Sequence, residues 1–175
     1  MHVLLTRPLE DSIDLIKRFK DKGFTVSHLP LIKINKLDYS KLNTSEYKII
    51  IFTSSNAIRN LNTKDFDKKI LCFCVGDATE KTAKQKGFHN TFSAGGNVKN
   101  LRELILQNLE KKTEKILYVS GELVSYDLDK DLIKEGLNVQ RLINYSVSHV
   151  EDISFDFLSE LKKKNSRYCL YLFSK

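Results

Sequence analysis

At 175 residues, 41% apolar and 29% charged, the sequence has the composition of an ordinary globular chain, long enough for one good core or two small interleaved ones. Its longest apolar runs, 49–52 and 70–75, are strand-sized and exclude a membrane-spanning helix. The formal net charge of +7 favours an anionic partner, although much of it lies in lysine-rich stretches such as 81–86 and 162–164 that read as solvated helix faces.

The N-terminus, Met-His-Val-Leu-Leu-Thr-Arg-Pro, lacks the basic start, long apolar stretch and cleavage site of a secretory signal, so a cytoplasmic setting is expected. Residues 3–5 read as a short buried strand. The stretch 11–22 carries Ile13, Leu15, Ile16 and Phe19 at helical spacing, with acids at its start and Gly23 as its stop. A strand over 25–29 is broken by Pro30, and 31–37 alternates apolar and polar residues as an exposed extended segment does. A second series follows: strand 47–52, short helix 56–61, strand 70–75, and helix 78–86 closed by Gly87. Cys72 and Cys74 lie two apart in this series, hence on one face of a strand. No further Cys/His pair completes a metal site, so buried, inert thiols are expected. Gly95-Gly96-Asn97 forms a loop, with Asn97 placed to cap a helix over 98–109. Strand 115–119, helix 128–135 closed by Gly136, strand 139–143, extended segment 145–150, helix 155–164 and strand 168–173 complete the chain. Strand and helix alternate throughout, which predicts an α/β class with parallel, doubly wound sheets.

The turns that follow these strands share a character. They read Thr6-Arg7-Pro8, Thr53-Ser54-Ser55-Asn56, Gly76-Asp77-Ala78-Thr79, Ser120-Gly121-Glu122 and Ser174-Lys175, all small, hydroxylated or basic. In a parallel sheet such turns lie along one edge, where ligands bind. The unpaired first amides of the following helices and the helix dipole favour carboxylates or phosphates there. Any one turn is more simply read as a helix cap. The set, with Gly76 and Gly121 permitting close backbone approach, points to a polyanion site. There is no Gly-x-Gly-x-x-Gly, no Gly-Lys-Ser/Thr and no Gly-x-Ser-x-Gly. His2, His28, His89 and His149 are scattered, with no nucleophile beside them. Binding and positioning are therefore expected to outweigh conventional side-chain catalysis.

Taken in order, Leu5-Thr6-Arg7-Pro8, Pro30-Leu31-Ile32-Lys33-Ile34, Ile51-Phe52-Thr53-Ser54-Ser55-Asn56-Ala57, Val75-Gly76-Asp77-Ala78-Thr79, Gly87-Phe88, Ile116-Leu117-Tyr118-Val119-Ser120-Gly121 and Asn144-Tyr145 resemble the uroporphyrinogen-III synthase family over nearly the full length. The resemblance implies two doubly wound parallel-sheet domains joined by a two-stranded linker. Domain one would be discontinuous (1–34 and 148–175), domain two would span 38–142, and 35–37 with 143–147 would link them. Chains of that family continue past the equivalent of Lys175, so domain one is expected to be incomplete and turnover by this chain alone impaired or absent.

The resemblance further implies cyclisation of hydroxymethylbilane, a linear tetrapyrrole, to uroporphyrinogen III with inversion of the last pyrrole ring, without cofactor or metal. Tyr145 resembles the tyrosine that helps the terminal hydroxyl leave; packing as a hinge residue is its structural alternative. Thr79 resembles a hydroxyl residue that faces the family's cleft, and Arg7 suits a carboxylate bidentately. With Thr6, Thr53, Ser54, Ser55, Asn56, Gly76, Ser120 and Gly121 they are expected to bind substrate. The expected partner is the tetrapyrrole, with no nucleic acid and no membrane, and the protein is expected to be a monomer. Two alternatives stand beside this reading. One is a non-catalytic binder of a phosphorylated small molecule or flavin using Thr53 to Asn56 as a phosphate loop. The other is a basic nucleic-acid binder resting on the +7 charge, for which no motif or interleaved aromatic is present.

Overall fold

The computed structural model describes residues 2–109, 113–152, 159 and 168–171. The expected helix over 155–164, apart from Ser159, and the turn at Ser174-Lys175 lie outside the described residues. In chain order the elements are β1 (His2–Leu5), α1 (Leu9–Asp21), β2 (Thr25–His28), β3 (Ile32–Lys36), β4 (Tyr47–Phe52), α2 (Ser55–Arg59), β5 (Leu71–Cys74), α3 (Asp77–Gln85), β6 (Asn90–Ser93), α4 (Val98–Asn108), β7 (Lys115–Gly121), α5 (Leu128–Lys134), β8 (Asn138–His149) and β9 (Tyr168–Tyr171). The α/β class with parallel sheets is thus as the alternation predicts. Two differences have physical causes. The edge strand β6 is absent from the sequence pattern, because Asn-Thr-Phe-Ser has no apolar run and only one neighbour to pair with. The segments expected at 139–143 and 145–150 are one strand of twelve residues, β8.

The chain divides into two compact units, Lys36–Ser146, and Met1–Asn35 with Val147–Lys175. In the first, the order is β8-β7-β4-β5-β6, and every one of these ladders is parallel. β3 takes the other side of β8. The chain runs outward from β4 through β5 and β6, then returns over α4 to pair β7 on the opposite side of β4. That reversal is the switch point of a doubly wound sheet, and it lies between β4 and β7.

Side chains alternate along a strand, and both faces of this sheet are covered, which is why its strands read as unbroken apolar runs. On one face Ile49, Ile51, Phe73, Ile116 and Tyr118 pack with Leu101 and Ile105 of α4 and Leu128 and Leu132 of α5. On the other, Phe52 meets Phe88 at 6.0 Å between ring centroids, and Phe66 meets Phe88 at 6.4 Å. Helix ends follow the sequence: the Asn97 Oδ1 accepts the Asn100 N–H at 2.8 Å, capping α4. Gly87 and Gly136 stop α3 and α5 in the left-handed region, at φ 91° and 86°.

In the other unit β1 is central, with β2 and β9 parallel on either side. Val3 and Leu5 are buried, and His2 is buried with Nε2 2.8 Å from the Ser27 Oγ. α1 departs from expectation. Its buried residue is Ser12, whereas Ile13 is 54% exposed and Leu15, Ile16 and Phe19 are half-buried. A helical stripe records which residues share a face; how much cover that face receives is decided elsewhere.

Cys72 and Cys74 are free, buried thiols as expected. Burial pushes both upward, Cys74 to about 12, so almost none of either is thiolate at neutral pH. A thiol raised in the folded state stabilises the fold fully below its unfolded value of about 8.5 and loses that contribution as pH climbs from there through the folded value. Iodoacetamide at pH 8, read site by site in peptide masses, should therefore leave both cysteines unmodified in the native protein and modify them once urea unfolds it. Rapid native labelling of either would contradict this burial.

Candidate functional site at the carboxyl edge of the parallel sheet

Four turns of the Lys36–Ser146 unit leave the carboxyl ends of β4, β5, β6 and β7 and form one edge of the sheet. At the switch point, Thr53 Oγ1 and the Tyr118 hydroxyl lie 3.3 Å apart, joining the end of β4 to β7. Burial pushes the Tyr118 phenol up, and the hydrogen bond with Thr53 and the charge of Arg141 partly oppose it. Ser54 Oγ accepts the Asn56 N–H at 3.2 Å and so caps α2. Ser55 Oγ donates to the Ala78 carbonyl at 3.3 Å and lies 3.2 Å from Thr82 Oγ1, which ties this turn to α3. Asn56 Oδ1 accepts from Arg59 Nη1 at 2.8 Å.

Gly76 begins α3 in extended backbone that any residue adopts; what favours glycine is its neighbour. A Cβ there would sit 3.1 Å from the Gly96 Cα, where the Gly96 N–H donates to the Val75 carbonyl at 2.6 Å. The turns after β5 and β6 therefore touch backbone to backbone. Thr79 is buried in the first turn of α3.

The end of β7 is held by Arg141 of β8. Its Nε donates to Ser120 Oγ at 2.8 Å, and Nη2 donates to the carbonyls of Gly121 at 2.8 Å and Glu122 at 3.1 Å. Its guanidinium also lies 5.9 Å from the Tyr118 ring centroid. Ser120 Oγ donates in turn to the Gly121 carbonyl at 3.0 Å. Tyr145 rests directly on Gly121: a Cβ at that glycine would come within 2.7 Å of the ring carbons Cε2 and Cζ and 3.0 Å of the hydroxyl. The Glu122 N–H closes the group by donating to the Tyr145 carbonyl at 2.9 Å. Tyr145 is 9% exposed, and among the described residues its hydroxyl has no hydrogen-bond partner. The Tyr145 ring is thus packed against the Gly121 backbone.

Beside this edge, Val124, Ser125, Tyr126, Asp127, Lys130, Asp131 and Lys134 line a shallow depression of about 460 Å³. Both of its carboxylates are engaged. Asp131 accepts from Tyr126 and, at 2.6 Å, from Arg102, which hold its carboxyl below the usual range, and Lys130 pairs with Asp127 at 2.7 Å. Among the described residues no cluster of His, Cys, Asp and Glu has the form of a metal site, and no helix is long and apolar enough to cross a membrane.

Of the residues singled out from the sequence, Thr53, Ser54, Ser55, Asn56, Gly76, Thr79, Ser120, Gly121 and Tyr145 belong to this one unit. Gly121 is in direct contact with Tyr145, and Ser120 bonds to the Gly121 carbonyl. Thr6 and Arg7 stand at the end of β1 in the other unit. There Thr6 is buried, the Arg7 carbonyl accepts from Ser12 Oγ and lies 2.7 Å from His28 Nε2, and the Arg7 guanidinium meets Asp11 at 3.2 Å. Arg141 and Tyr118 carry no signal in the sequence. Arg141 sits among polar and apolar residues of a strand, and nothing in that order announces that parallel pairing sets it opposite Tyr118.

A family model described as uroporphyrinogen-III synthase HemD matches residues 13–175. Among solved structures, the uroporphyrinogen-III synthetase from Helicobacter pylori is similar at 20% identity and a TM-score of 0.55, over 78% of this chain and 62% of that one. A mutant uroporphyrinogen III synthase from the extremely thermophilic bacterium Thermus thermophilus is similar at 15% identity and a TM-score of 0.55, over 86% of this chain and 64% of that one. This chain therefore spans less than two thirds of the length of either, and at such identities the likeness shows a shared mixed α/β fold. No curated protein matches the chain significantly.

The hold of Arg141 on the edge is measurable. Arg141→Ala leaves the Ser120 hydroxyl and two carbonyls without their charged donor and should lower stability to urea by about 1.5–3 kcal/mol. A loss within a few tenths of a kcal/mol would mean that water replaces the guanidinium without cost.

Proposed function

The chain belongs to the uroporphyrinogen-III synthase family, and from that premise we propose that it cyclises hydroxymethylbilane to uroporphyrinogen III, inverting the last pyrrole ring. The match of the family model over residues 13–175 carries this reading. In it, the acetate and propionate carboxylates of the linear tetrapyrrole are received by the hydroxyls and turn amides around Thr6, Arg7, Thr53, Ser54, Ser55, Asn56, Gly76, Thr79, Ser120 and Gly121. The phenol of Tyr145 donates to the terminal hydroxyl of the substrate as its C–O bond breaks, so that the hydroxyl departs as water. The electron-poor carbon left behind is attacked by the substituted carbon of the last ring, giving a spiro intermediate that reopens and closes with that ring turned over. Loss of a ring proton restores the aromatic pyrrole.

Holding the chain of rings in a shape where spiro attack precedes direct closure is a matter of positioning, which fits an edge built from fixed turns. The same reading makes the two units the family's two domains, 1–34 with 148–175 and 38–142, with 35–37 and 143–147 as their linkers, in a monomeric cytoplasmic protein that uses no cofactor. A phosphate or flavin site on Thr53 to Asn56 is less well supported, because the family match over residues 13–175 favours the synthase reading.

Freshly made hydroxymethylbilane closes spontaneously to the type I isomer, so the isomer ratio is the test. The chain should raise the type III fraction above the spontaneous background. Tyr145→Phe, which keeps the ring on Gly121 but removes the donor, should lower the rate of type III formation by roughly 100-fold or more. Type I alone from the unmodified chain would reject the proposed activity.

A further inference from the structure

At the carboxyl edge the register between β7 and β8 slips. Ser120 pairs with Ile143, but the next residue, Gly121, pairs with Tyr145. Asn144 is the extra residue, a β-bulge, and bulges re-aim the side chains that follow them. Because side chains alternate along a strand, one residue more or less decides the face on which the next one lies. Burial records the break: Ile143 is exposed, while Asn144, at 0%, and Tyr145 are buried in succession.

The bulge is pinned through Asn144. Its Nδ2 donates at 2.8 Å to the Ala57 carbonyl of α2. α2 has only five residues, so its carbonyls depend on partners from outside the helix. The Asn144 carbonyl accepts the Leu37 N–H at 3.0 Å. Its Oδ1, in contrast, is fully buried and has no partner among the described residues. An apolar side chain of the same size would avoid burying that unpaired oxygen, so stability alone does not account for an amide here. What the amide adds is the one bond to Ala57, which fastens the bulge to the turn that begins at Thr53.

We propose that Asn144 is the positioning residue for Tyr145: by holding the bulge against α2 it sets the tyrosine ring on Gly121 with the phenol free. The catalytic consequence rests on the reading that Tyr145 serves the departing hydroxyl; the placement of the ring does not.

Both parts can be tested on the full, isotope-labelled chain by NMR. The unmodified protein should show contacts between the Tyr145 ring protons and the Gly121 α-protons, and an upfield ring-current shift of the latter. Asn144→Leu keeps the size without the donor, and Asn144→Asp keeps the shape with an oxygen in the donor's place. Either should lose these contacts and move the Gly121 α-protons towards ordinary values, while resonances of Ile50, Phe73 and Leu117 stay in place. Gly121→Ala, which pushes the ring away from the other side, supplies the spectrum of a displaced tyrosine. In the isomer assay, Asn144→Leu should lower kcat for type III product at least tenfold with a smaller change in KM. Absence of the contacts in the unmodified protein, or their survival in a folded Asn144 variant, would overturn the proposal. A displaced ring with undiminished type III formation would uphold the positioning and refute the role of Tyr145 in the reaction.

Discussion

β4 lies between β5 and β7 with both faces dry: Ile49, Ile50, Ile51 and Phe52 are fully buried, and parallel ladders run along either side. Burying each such side chain contributes roughly 1.5–3 kcal/mol. More important here, a strand covered on both faces and paired on both edges has no freedom to shift its register. The pairing of β4 with β7 is also non-local, joining Phe52 to Val119 across the whole β5-α3-β6-α4 excursion. The carboxyl edge inherits its position from that ladder, since it sets Thr53 beside Tyr118.

The edge itself is fastened by polar groups that mostly bond to one another. Arg141 holds the end of β7, Ser54 and Ser55 hold the start of α2 and its contact with α3, and the backbone of Gly96 closes on Gly76. Hydrogen bonds from an ionised donor are among the stronger ones, and a guanidinium that reaches two carbonyls and a hydroxyl fixes direction as well as distance. A rim arranged before a ligand arrives spends little of the binding free energy on ordering itself. Against this background of mutual bonding, the unclaimed hydroxyl of Tyr145 stands out as a group with capacity to spare.

Two glycines at this edge, Gly76 and Gly121, matter for what approaches them. Neither Gly76 nor Gly121 has a positive φ. At each, another group crowds the place of a Cβ, the Gly96 backbone tightly in one case and the Tyr145 ring within 2.7 Å in the other. Gly87 and Gly136, by contrast, are conformational stops, recognisable in the sequence because each follows a helical pattern.

Local order in the sequence is enough to determine the α/β class, nearly every element, the caps and stops of the helices, the burial of Cys72 and Cys74, and the chemical character of the turns. These follow from periodicity and from side chains acting within a few residues of themselves. The family resemblance was legible in the same turns. The edge strand Asn90–Ser93 was not, because a short polar strand is stabilised by its neighbour β5 and carries no pattern of its own. The exposure of Ile13 was equally hidden, since a stripe does not say what packs on it. Tertiary structure alone decided that Arg141 meets Ser120 and Gly121, that Thr53 meets Tyr118, and that a bulge at Asn144 brings Tyr145 onto Gly121. Each of these depends on strand register between segments at least twenty residues apart, and register is a property of the assembled sheet, set by which faces are buried together.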